Sequence, residues 1–84
     1  MNQLYRETVF ERNTEIITQN IPREGISVLD LADKVGVSII TIWKYLRPQI
    51  NKGVIRQIVC ETDRRRARYI RVTDPIPEGF ITCQ

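Results

Sequence analysis

The 84-residue chain has no histidine, only two cysteines, one tryptophan and one methionine. No apolar run comes near the roughly 18 residues that a membrane-spanning helix needs. Each shortage excludes something. Without histidine there is no Cys/His zinc site, no Cys-His nucleophile pair and no serine triad. Cys60 and Cys83 lie far apart in the sequence, and a disulfide between them is not expected in a reducing compartment. The stretch Met1 to Phe10 carries Arg6 and Glu7 and lacks an apolar h-region, so no signal peptide is expected and the expected location is cytoplasmic. Asp and Glu remain as possible catalytic groups. A deep pocket in so small a chain would consume the core that holds it together, so neither an enzyme nor a metal or cofactor site is expected. Two domains would each fall below the size that folds unaided, which makes residues 1–84 a single domain.

What is present is ordinary globular composition, with 42% apolar and 27% charged residues, and an uneven charge. The net charge is +3. Residues 1–42 sum to −2 and residues 43–84 to +5, while the stretch 43–72 alone reaches +7. Arginine outnumbers lysine ten to three, and its planar fork suits phosphates and guanine edges. A solvated basic surface is one reading. A one-sided basic face at a pI near 9.2 is also the electrostatic footprint of a nucleic-acid binder.

The spacing predicts a first helix from Gln3 to Asn20, with Glu7, Glu11 and Glu15 along one side and Phe10, Ile17 and Ile21 along another. Ile21-Pro22-Arg23-Glu24-Gly25 stops it. Ile26-Ser27-Val28 is a short extended piece, and Ser27 with Asp30 resembles a capping box. A compact helix follows from Val28 to Val35, burying Val28, Leu31 (or Leu29), Ala32 and Val35. Gly36 ends it, and Val37 is expected to re-enter the core. Ser38 is a second N-cap candidate. In the third helix Ile42, Leu46 and Ile50 repeat every four residues and point inward. Then the period changes. Val54 to Cys60 reads as a strand, Thr62 to Arg66 as a polar turn, and Ala67 to Val72 as a second strand. Pro75, Pro77 and Gly79 exclude regular helix or central strand afterwards. Phe80 and Ile81 are either an anchor for this tail or a sticky patch.

The run Ile26-Ser27-Val28-Leu29-Asp30-Leu31-Ala32-Asp33-Lys34-Val35-Gly36-Val37-Ser38-Ile39-Ile40-Thr41-Ile42-Trp43-Lys44-Tyr45-Leu46 resembles the winged helix-turn-helix family of small prokaryotic and viral transcription regulators. It has the Leu-Ala pair, then Gly-Val-Ser, then Thr, an aliphatic residue and a closing Leu. The resemblance implies an α+β fold of three helices plus a C-terminal β-hairpin wing. The core would span about 10–72, leaving a Pro-containing tail over 73–84. It further implies that the third helix enters the major groove of double-stranded DNA. At about 100° per residue, Ile40, Lys44 and Arg47 point away from the core stripe, with Thr41 and Trp43 at its borders. Lys44 and Arg47 would reach guanine edges or phosphates, and Ser38 and Thr41 would suit backbone phosphates. Arg64, Arg65, Arg66 and Arg68 would grip phosphates or enter the minor groove. Arg56 and Arg71, further down the strands, would only decorate them.

Two features depart from that pattern. Ile39, Ile40 and Trp43 put apolar bulk at or near the recognition face. Contact with thymine methyls, a protein partner, and packing of Trp43 against the wing all account for it. Pro48 falls inside the third helix and predicts a kink or break near Leu46. The leading expectation is a DNA-binding transcription regulator, nucleoid-associated when bound to DNA. The rivals are an excisionase-like architectural factor that bends DNA, and a protein-interaction module using the Ile40–Trp43 face. A homodimer would form through the N-terminal helix (Leu4, Tyr5, Val9) or the Phe80–Ile81 tail.

Overall fold

A computed structural model describes the backbone of residues 2–83 and the side chains from residue 9 to residue 83. The Leu4 and Tyr5 side chains, offered as part of a dimer contact, lie outside this described set. The chain order is α1 (Asn2–Gln19), α2 (Val28–Val35), α3 (Ile39–Asn51), β1 (Ile55–Cys60), β2 (Ala67–Arg71) and β3 (Phe80–Thr82). The architecture is an α+β winged helix.

α1 enters the core through its C-terminal half. Ile17 is buried, and so is Ile21 in the turn just after the helix. Phe10 stacks on Tyr45 of α3 with ring centroids 5.0 Å apart, and the Asn13 amide donates to the Tyr45 hydroxyl at 3.1 Å. A helix end leaves carbonyls without partners, and cations are favoured there. Three side chains take them up. Asn20 donates to the Ile16 carbonyl at 2.8 Å. Lys34 donates to the Asn20 carbonyl at 2.9 Å, and Arg71 to the Thr18 carbonyl at 2.7 Å.

The turn after α1 closes with the Gly25 N–H donating to the Pro22 carbonyl. Gly25 has φ +82° and stands so close to β2 that a Cβ would lie 3.2 Å from the Tyr69 carbonyl oxygen. That approach lets Ile26 exchange both backbone hydrogen bonds with Tyr69, at 3.1 and 2.8 Å. α2 then begins and ends as the sequence predicts. Ser27 Oγ accepts from the Asp30 N–H at 3.1 Å. Gly36 adopts φ +85° and its N–H returns to the Ala32 carbonyl, the geometry that satisfies a helix C-terminus. Leu31 and Ala32 are buried, whereas Leu29 is exposed. The expectation that Val37 re-enters the core is corrected: it is 37% exposed. It sits beside Ile16, Val35 and Thr41 on the rim of a small groove of about 160 Å³, because the tight turn at Gly36 projects outward.

α3 corrects one half of its prediction, the break near Leu46: the helix is continuous from Ile39 to Asn51 with Pro48 inside. Proline removes the donor that would serve the carbonyl four residues back, which here belongs to Lys44. Lys44 is exposed, so water can take the freed carbonyl. The last turn still closes, with the Lys52 N–H on the Pro48 carbonyl and the Val54 N–H on the Gln49 carbonyl. Ile42 and Leu46 are fully buried.

The sheet has the order β2-β1-β3, antiparallel throughout. One face carries Ile55 and Tyr69 into the core with Ile17, Ile21, Leu31, Ile42 and Leu46. Ile58 and Ile70 lie on the other face and are also fully buried. The topology explains this. β2 and β3 flank β1 on opposite sides, so residues 72–79 must cross β1 to join them. Helices occupy the first face, which leaves the crossover, with its half-buried Ile76 and Pro77, to cover the second. The Pro-containing tail is thus partly a third strand. Phe80 is its anchor: the Arg68 guanidinium lies over its ring at 4.6 Å.

Candidate nucleic-acid interface

α3 presents its outward face because its inward face is fixed by Ile42 and Leu46. Ile40, Trp43, Lys44, Arg47, Pro48 and Asn51 line one open depression on that outward face. α3 contains no acidic side chain, so the charged groups lining the depression, Lys44 and Arg47, are both cationic. Ile40 is 83% exposed. Ile39 falls on the inward side of the wheel, yet it is 41% exposed, since the first turn of α3 extends past the core. Trp43 is not free. Its ring meets Tyr69 of β2 edge-on at 5.4 Å, and the Arg47 guanidinium lies 5.4 Å from the same ring. Trp43 therefore joins α3 to the wing strand. Burial pushes the Tyr69 phenol up from its ordinary range, with Cys83 adding to this and Arg47 opposing it. It stays a neutral hydroxyl across the physiological range.

Ser38 and Thr41 are committed to the start of α3. Ser38 Oγ accepts from the Thr41 N–H at 3.1 Å and lies 3.0 Å from the Thr41 hydroxyl oxygen. Thr41 lines the groove beside α1 rather than the Ile40 depression.

The wing tip is built by Asp63. Its carboxylate accepts from the Arg65 N–H and pairs with Arg65 Nε at 3.2 Å. The Arg66 N–H donates to the Asp63 carbonyl, and the Cys60 N–H to the Arg66 carbonyl. The turn is thereby closed while its guanidiniums stay in solvent; the Arg65 side chain is 91% exposed. Arg64 and Arg66 are exposed as well. Arg68 differs. It is half-buried, donates to the Glu24 carbonyl at 3.2 Å and covers Phe80, so it braces the base of the wing. Behind the tip, the Thr62 hydroxyl, then the backbone N–H groups of Thr62 and Asp63, and last Arg66 hold the Cys60 thiol below the usual thiol range.

Sequence reasoning overlooked two features. First, Arg65 and Arg66 face the start of α2 across a groove of about 560 Å³, lined also by Ser27, Leu29 and Asp30. The Ser27 cap was the available signal. Second, Arg56 and Arg71 do not merely decorate the strands. Arg56 donates to the Val72 carbonyl. Arg71 ties β2 to α1 and pairs with Asp74 at 3.1 Å.

Among the described residues no helix is long and apolar enough to cross a membrane. The model of the winged helix-turn-helix DNA-binding family matches residues 23–56. That stretch covers the turn before α2, both helices of the motif and the start of β1, and it supports a DNA-binding domain. No curated protein and no solved structure matches the chain.

Proposed function

We propose that this winged helix-turn-helix chain binds double-stranded DNA and regulates transcription. In this reading α3 lies in the major groove and the wing arginines hold the flanking backbone or the minor groove. The observation that carries it is a coincidence. The family match on residues 23–56 takes in α2 and α3, and the outward side of α3 bears Ile40, Lys44 and Arg47 and no acid of its own. Phosphates would meet Lys44, Arg47, Arg64, Arg65 and Arg66, while base edges would meet the N-terminal half of α3. Arg68 contributes by stiffening the wing. Ser38 and Thr41 fix the first turn of α3, which aims its side chains.

The test is fluorescence anisotropy of a labelled random 30-base-pair duplex at two salt concentrations. Counterion release makes phosphate-driven binding weaken steeply with salt. No binding at low salt would sink the proposal and leave the arginines to another partner. The exposure of Ile40 also favours a second reading, a protein-interaction module. In that case alanine at Ile40 abolishes partner capture and leaves DNA affinity unchanged.

A further inference from the structure

We propose that Ile40 reads the C5-methyl groups of thymine, so that the preferred DNA site carries thymine under the N-terminal half of α3. This rests on the DNA-binding reading above and adds a specificity determinant to it.

Ile40 is 83% exposed, the most exposed of the large hydrophobic side chains described. It lies one turn before Lys44 and two turns before Arg47 on the same face of α3. An aliphatic side chain set in a cationic, acid-free rim suits a polyanion that also offers apolar surface. In the major groove that apolar surface is the thymine methyl, which distinguishes A·T from G·C and from T·A. The flanking cations would position the helix through phosphates without reading sequence.

The side chain suits the task. A β-branched residue in a helix holds one χ1 rotamer strongly, so Ile40 presents its methyls in a fixed direction with little entropy left to lose. The neighbouring apolar groups are otherwise engaged. Trp43 is fixed against Tyr69 and beneath Arg47. Ile39 lies on the inward side of the helical wheel. Leu29, 65% exposed, belongs to α2 and opens onto the wing groove.

The experiment starts from a duplex library with a randomised centre, enriched on the full chain at fixed salt. The enriched duplex is then remade with uracil at one thymine at a time. Uracil keeps every hydrogen-bonding edge and loses only the methyl. For the wild-type chain, uracil at one or two positions is expected to weaken binding about fourfold, the effect of uncovering one methyl group. In Ile40→Ala the same duplexes should bind alike with thymine or uracil, with an unchanged salt dependence, since no charge is removed.

Several results would overturn the proposal. Uracil could be tolerated at every position while binding stays salt-dependent; Ile40 would then read no methyl, yet the chain would still bind DNA. Equal uracil sensitivity in wild type and Ile40→Ala would move the contact to another residue. A library that enriches no sequence would mean that Ile40 confers no preference. Absence of salt-dependent binding to any duplex would remove the DNA-binding reading itself.

Discussion

Arg71→Met should destabilise the chain far more than its place on a short strand suggests. Arg71 Nη1 donates to the Thr18 carbonyl at 2.7 Å, and Nε pairs with Asp74 at 3.1 Å. The side chains of Arg71 and Asp74 are only 26% and 18% exposed. Methionine keeps most of the aliphatic stem, so packing is largely conserved and the guanidinium is what goes. A hydrogen bond from a charged donor contributes about 1.5–3 kcal/mol. The ion pair adds roughly 1 kcal/mol after allowance for residual solvent. The expected loss is therefore about 2–4 kcal/mol, against a total of about 4–13 kcal/mol for a chain of this length. In a thermal melt followed by circular dichroism, Tm should fall by on the order of 10–30 °C. Urea titration should show a lower midpoint with an unchanged slope, since a stable native state unfolds to the same surface. Arg65→Met is the control: its guanidinium is 91% exposed, and the change should stay within about 0.5 kcal/mol. If Arg71→Met melts within about 2 °C of wild type, the brace between α1 and β2 contributes nothing, and the reasoning fails.

Two further outcomes follow from backbone and thiol chemistry. Gly36→Ala should cost about 1–2 kcal/mol for placing a side chain at φ +85°, because no atom lies within 4 Å of the new Cβ. Gly25→Ala should cost clearly more, since its Cβ also crowds the Tyr69 carbonyl at 3.2 Å and Arg68 Cβ at 3.3 Å; equal losses in urea titrations would count against that close approach. In a Cys83→Ser background, alkylation of Cys60 should reach its half-maximal rate at a lower pH than an ordinary thiol, because hydrogen bonds and Arg66 favour the thiolate. Thr62→Val should raise that midpoint, and an unmoved midpoint would remove the Thr62 hydroxyl as the leading cause.

What could be read in advance was local. α2 is legible at both ends because Ser27 and Gly36 act on their own helix, through a side-chain cap and a positive φ. The outward face of α3 follows from a period of 3.6 once Ile42 and Leu46 are taken as core. What escaped depends on partners distant in sequence. Nothing near Arg71 announces the Thr18 carbonyl, 53 residues away. β3 consists of three residues after a proline-rich stretch, and it is a strand because β1 offers a free edge. Pro48 misleads about a break because the rule against proline assumes a carbonyl that must be bonded within the helix, whereas the carbonyl released here belongs to Lys44, an exposed residue. At the candidate site, Arg64, Arg65 and Arg66 could be placed on the wing tip from the hairpin pattern. The different role of Arg68 could not, since Glu24 and Phe80 come to it only through the fold.

The most direct measurement is the salt slope of duplex binding for the wild-type chain and for the Arg65→Ala/Arg66→Ala double variant. Five cations on phosphates (Lys44, Arg47, Arg64, Arg65 and Arg66) predict a slope of log affinity against log salt of about −4 to −5. Removing two of them should flatten it by about 2 and weaken binding to all duplex sequences alike. An unchanged slope in the double variant would contradict the account, because the wing tip would then hold no phosphate.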